Sequence, residues 1–102
     1  MVQVRITNET GFDVKGLKVG KKDIGNLKDR NRTGYLVYTE FHFDSGMPDE
    51  SIKGRINRKS VGDYSEFYWC GTEKYYVTEG TFEMDLTLRD ADGKQYLRLL
   101  AR

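Results

Sequence analysis

The chain of 102 residues holds one cysteine and one histidine, the pair that could furnish a thiol nucleophile and its base. Cys70 and His42 are far apart in sequence, so only folding could join them. Phe41 and Phe43 flank His42, and a strand that turns both phenylalanines inward turns the imidazole outward. Cys70 closes the aromatic run "EFYWC" before Gly71, where a thiol packs as a small hydrophobe. This setting argues against a catalytic dyad. A lone cysteine also excludes an intrachain disulfide and a multi-cysteine metal site.

Three further groups could carry chemistry. "DADGK" begins like a calcium-binding loop, but such a loop needs glycine sixth and a closing glutamate twelfth. Counted from Asp90, Gly93 is fourth and Ala101 twelfth, so a hairpin turn is the better reading. Glu66, Glu83 and Asp85 could supply a pair of glycosidase carboxylates. Glu83 and Asp85, however, fall on the polar side of a strand whose other side is apolar, where solvated charge belongs. The basic residues Lys15, Lys18, Lys21, Lys22, Lys28, Arg30 and Arg32, interrupted by Asp23 and Asp29, could meet an acidic polymer or lipid headgroups. They lack the interleaved aromatic rings of single-strand nucleic-acid binders and read as a solvated surface.

The aromatic residues are the strongest candidates for a binding role. Tyr64, Tyr68, Trp69, Tyr75 and Tyr76 exceed what one core face absorbs. In "YSEFYW" one face carries Tyr64, Glu66 and Tyr68 and the other Ser65, Phe67 and Trp69, so one aromatic set is expected outside. Tyr64, Tyr68 and Trp69 with Glu66 beside them could stack on sugar rings or seat a protein partner. The competing reading is ordinary cross-strand packing.

The elements that must position these residues are strands. Val2, Val4 and Ile6 alternate with polar residues, and "NETG" ends the run. "FDVKGLKVG" slips phase at Lys15-Gly16, which suggests a β-bulge. Ile24 and Leu27 anchor the turn-rich basic segment. In "YLVYTEFHF" an unbroken strand would place Tyr35, Val37, Phe41 and Phe43 on one face, with Leu36, Tyr38, Glu40 and His42 on the other. "DSGMPDE" reads as an exposed loop, and Ile52 and Ile56 mark the next strand. "DYSEFYWC" follows as another. Phe82, Met84, Leu86 and Leu88 then alternate without error, "DADG" turns the chain, and Leu97 and Leu99 resume the pattern. That is a β-hairpin, with Gly93 suited to a type I turn plus bulge. About seven or eight short strands with no helical periodicity predict an antiparallel β-sandwich, Ig-like in architecture.

Composition sets the outer bounds. The length suits a single domain over residues 1–102, with one core. Aromatic residues make up 13% of the chain and the net charge is +1, which falls short of a nucleic-acid-binding signature. Charge is nevertheless uneven, with 12 basic and 8 acidic residues up to position 60, and 5 basic and 8 acidic after it. No apolar run approaches the roughly 20 residues that span a bilayer.

The order of segments carries a resemblance. "VRITNETGFDVKGLKVG", "IGNL", "TGYLVY" and the closing "YWCGTEKYYVTEGTFEMDLTLRDADGKQYLRLLAR" together resemble the mature domains of small cell-envelope lipoproteins of Gram-negative gut anaerobes. Those domains share an "N-x-[ST]-x-[FY]-D" start, a "G-x-L" element and a terminal "G-x-[FY]" hairpin. The resemblance implies a β-sandwich tethered by an N-terminal lipid in the periplasm or at the outer membrane. The chain has no lipidation cysteine near residue 1, and Cys70 is internal. The resulting expectation is a non-enzymatic interaction or accessory module of the cell envelope, with a carbohydrate-binding module as the alternative. A protein or glycan partner is expected, with no cofactor, metal or nucleic acid, and membrane contact only through a lipid anchor. The sequence leaves the oligomeric state open.

Overall fold

The structure is a computed structural model that describes residues 1–63 and 74–102. Among these residues the chain is all strand and turn, in the order β1 (Val2–Asn8), β2 (Val14–Val19), β3 (Lys22–Leu27), β4 (Leu36–Tyr38), β5 (Phe41–Asp44), β6 (Met47–Pro48), β7 (Ile52–Ile56), β8 (Lys59–Gly62), β9 (Lys74–Val77), β10 (Gly80–Ala91) and β11 (Lys94–Ala101). Two four-stranded sheets, β11-β10-β1-β4 and β3-β2-β7-β8, form the body of a β-sandwich, and a three-stranded sheet, β6-β5-β9, completes it. The candidate residues Tyr64, Glu66, Tyr68, Trp69 and Cys70, and all of the strand expected over "DYSEFYWC" after Asp63, lie outside the described residues.

Alternation builds the core. Val2, Val4 and Ile6 of β1, Met84 and Leu86 of β10, and Leu97 and Leu99 of β11 are buried, and they meet Val14, Leu17, Val19, Ile52 and Ile56 of the facing sheet. Phe41 and Phe43 of β5 join the same core. Burying each such side chain contributes about 1.5–3 kcal/mol. The sheets also meet along one side, where Asp63 bridges to Leu97 in parallel.

Most pairings are antiparallel, but β1 runs parallel to β10 from Val2 opposite Gly80 to Asn8 opposite Leu86. The bulge expected at Gly16 is present. The β2–β3 and β2–β7 registers both shift across it, and Gly16 has φ +60°, in the left-handed region that favours glycine.

Two expectations are corrected. Residues 35–43 break at Thr39–Glu40 into β4, which pairs with β1, and β5, which pairs with β6 and β9. The break reverses the phase, so Tyr38 is buried against Phe41 in an edge-to-face contact at 5.1 Å while Tyr35 and Val37 are exposed. The β10–β11 hairpin pairs Ala91 with Lys94, leaving Asp92 (φ 52°) and Gly93 (φ 77°) as a two-residue loop. Positive φ at both positions defines a type I′ turn, whose twist matches the flanking strands.

Candidate functional site

The "NETGFD" start of the chain is an internal brace. Asn8 is fully buried. Its amide donates to the carbonyls of Phe12 and Leu27 at 2.8 and 2.9 Å, and its carbonyl accepts from the Thr10 amide and hydroxyl at 3.0 and 2.7 Å. Asp13 accepts from the Asp29 amide at 2.8 Å. These residues tie the end of β1 to the ends of β2 and β3, so the brace is structural.

The carboxylates considered for hydrolysis are already engaged. Glu83 accepts a two-pronged contact from Arg5 and a hydrogen bond from the Tyr35 hydroxyl at 3.1 Å. Hydrogen bonding from Arg5 holds the Glu83 carboxyl below the usual carboxylate range. Asp85 pairs with Arg102 at 2.6 Å. Both lie on the outer face of the first sheet. Among the described residues, no group of three or more His, Cys, Asp or Glu side chains is placed to hold a metal ion.

The richest chemistry gathers on β5 and β9. Phe41 and Phe43 point inward, and His42 points out as the alternation requires. Residues 45–46 turn the chain back through β6, and Glu50 folds onto β5. One oxygen, Oε2, accepts from the His42 backbone amide at 2.8 Å and faces Nδ1 of the ring at 2.8 Å. A carboxylate accepts only, so Nδ1 carries the proton and the other nitrogen, Nε2, is directed to Glu40 at 4.0 Å. The Glu50 hydrogen bond raises the His42 pKa above its ordinary value; burial opposes it, and the charges of Glu50, Glu40 and Asp49 add to the rise. Glu50 also acts on Tyr38, whose hydroxyl donates to the Val19 carbonyl at 3.1 Å and is pushed up to about 12, mainly by burial.

Across the strand pair, His42 stands opposite Tyr76 and Phe43 opposite Tyr75. The Tyr76 ring lies 5.9 Å from the imidazole and is 59% exposed. Tyr75 stacks nearly flat on Phe43 at 5.5 Å and 12°. The β5–β9 strand pair thus presents Tyr76, His42 and Glu40 together, a stacking ring beside a donor and a carboxylate. Nucleophilic catalysis would need a hydroxyl or thiol beside this base, and the ring partners among the described residues are the carboxylates of Glu50 and Glu40. On the far side of the β5–β6 hairpin lies an open cleft of about 590 Å³, lined in part by Asp44, Asp49, Glu50, Arg89, Asp90 and Arg98.

The sequence named Tyr75, Tyr76 and the outward His42 but missed Glu50, which it placed at the end of an exposed loop. The usable signal was the Ser45-Gly46 pair, which has φ 52° and 84° and folds the loop into a tight hairpin. No family model, curated protein or solved structure matches the chain.

Proposed function

We propose that the protein is a non-enzymatic interaction module of the bacterial cell envelope, with the β5–β9 face as its contact surface. The observation that carries this reading is Tyr76, a largely exposed ring on β9, beside a histidine already oriented by Glu50. A ring and a fixed imidazole lose little conformational freedom on binding, so they suit a contact surface. Placement in the envelope, and the Ig-like arrangement of the sandwich, rest on the resemblance and strand spacing described above. Hydrogen exchange tests the reading: solubilised envelope extract should protect amides in residues 40–44 and 74–77. Protection elsewhere alone counts against it.

A second reading, carbohydrate binding, is favoured by the grouping on that face. A sugar ring stacks on an aromatic face while its hydroxyls donate to a carboxylate, and Tyr76 and Glu40 supply the two. Titration with cello-, manno-, xylo- and chito-oligosaccharides should then shift the His42 and Tyr76 resonances in the wild type and not in Tyr76→Ala. Silence across the series removes this reading and leaves a protein partner.

A further inference from the structure

The outer face of the second sheet has a different character. Antiparallel pairing of β2 with β7 sets Lys15 directly opposite Arg55 and Lys18 directly opposite Lys53. All four side chains are exposed. Like charges directly opposite on a sheet are destabilising, and this face carries two such pairs in succession. No hydrogen bond or ion pair relieves them among the described residues. Asp23, opposite Lys18 on the β3 side, is the one carboxylate in register with them.

The shape of the face narrows the choice of partner. Arg55 lies over the backbone at Gly16, where an added Cβ would sit 3.5 Å from Nη2, so its guanidinium is held along the sheet. The β8 positions opposite Arg55 and Lys53 are Ser60 and Gly62, which are small. The cleft by the β5–β6 hairpin and the shallower one beside Leu27 and Asn31 are lined by other residues, and none of these outward positions is aromatic. A single-stranded nucleic acid is best held in a groove with stacking rings. A broad sheet of mobile lysines matches a plane of anionic headgroups, each contributing as a point charge.

We propose that this face docks on an anionic lipid bilayer, with Lys15, Lys18, Lys53 and Arg55 spread against the headgroup plane. The contact is peripheral and electrostatic, since among the described residues no apolar side chain on the face is available to insert. It is independent of the β5–β9 face and of any lipid anchor.

Co-sedimentation with vesicles tests it. The intact protein should bind phosphatidylcholine vesicles containing phosphatidylglycerol, release them at high salt, and ignore vesicles of phosphatidylcholine alone. Each neutralised lysine should weaken binding about fivefold, and the Lys18→Gln/Lys53→Gln variant about 25-fold. The same variant removes an opposed pair, so its melting temperature should hold or rise, which separates lost binding from lost folding. Equal binding to neutral vesicles, no binding to anionic ones, or full affinity in the double variant would overturn the proposal. So would capture by soluble polygalacturonate or an acidic protein column without any vesicle binding.

Discussion

Two polar residues define the molecule at the level of single side chains. Asn8 uses all four of its strong hydrogen-bonding positions inside the core. Asn8→Ala takes away the side-chain partner of the Leu27 carbonyl and of the Thr10 amide, while the Thr10 hydroxyl keeps its bond to the Phe12 carbonyl at 2.9 Å, and each buried unsatisfied group costs about 1–3 kcal/mol. The variant should lose at least about 2 kcal/mol in urea unfolding; a loss under about 1 kcal/mol would show that water replaces the amide. His42 carries the pH dependence. Because Glu50 raises its folded pKa, the contribution is complete below the ordinary histidine value. It is lost as pH rises through the folded value. Wild type should therefore exceed His42→Gln in stability by more at about pH 5.5 than at about pH 8.5. An NMR titration of the imidazole that gives an unshifted or lowered pKa would contradict the Glu50 contact. The sequence showed only part of this. The outward aim of His42 followed from Phe41 and Phe43, but Glu50 acts through a hairpin that alternation does not encode. Asn8 looked like turn punctuation, because a polar residue's burial depends on partners as distant as Leu27.

Among the strands, turn chemistry and close approach decide stability. The β7–β8 hairpin pairs Ile56 with Lys59, leaving Asn57 (φ 51°) and Arg58 (φ 68°) as its two-residue loop. Asparagine tolerates that region, whereas an arginine there costs about 1–2 kcal/mol. Arg58→Gly removes this strain and adds a smaller entropic cost. A gain of about 0.5 kcal/mol is expected, read as a melting temperature higher by about 2 °C or more. No change would mean that Arg58 makes a compensating contact. Gly54 in β7 shows the opposite constraint, because a Cβ there would stand 2.7 Å from Cγ1 of Val14. Gly54→Ala should cost about 1–3 kcal/mol by overpacking, and adding Val14→Ala should recover part of it. Strict additivity of the two changes would place the damage elsewhere. The strands with clean alternation, β1, β10 and β11, could be read from sequence, as could the Gly16 bulge. The split of β4 from β5 could not, since Tyr35 to Phe43 keeps an apolar pattern through a break that only sheet pairing reveals.

The whole molecule joins distant parts of the chain: β1 lies beside β10 and the two sheets meet at Asp63 and Leu97. Neither link leaves a local sequence signal. Closing such long loops should make folding slow for the chain's size, in the millisecond to second range. Charge is distributed on the same scale, with the opposed cations on the β2–β7 face and carboxylates grouped along the cleft by the β5–β6 hairpin. The β5–β9 face is the surface proposed to meet a partner. Site-specific photo-crosslinking in the cell envelope tests that claim most directly, because a diazirine reacts with protein and glycan alike. Placed at Tyr76, it should give adducts that excess unlabelled protein suppresses, while the same group at Thr87, on the outer face of the first sheet, should give none. Equal labelling from both positions, or none from Tyr76, would contradict the account.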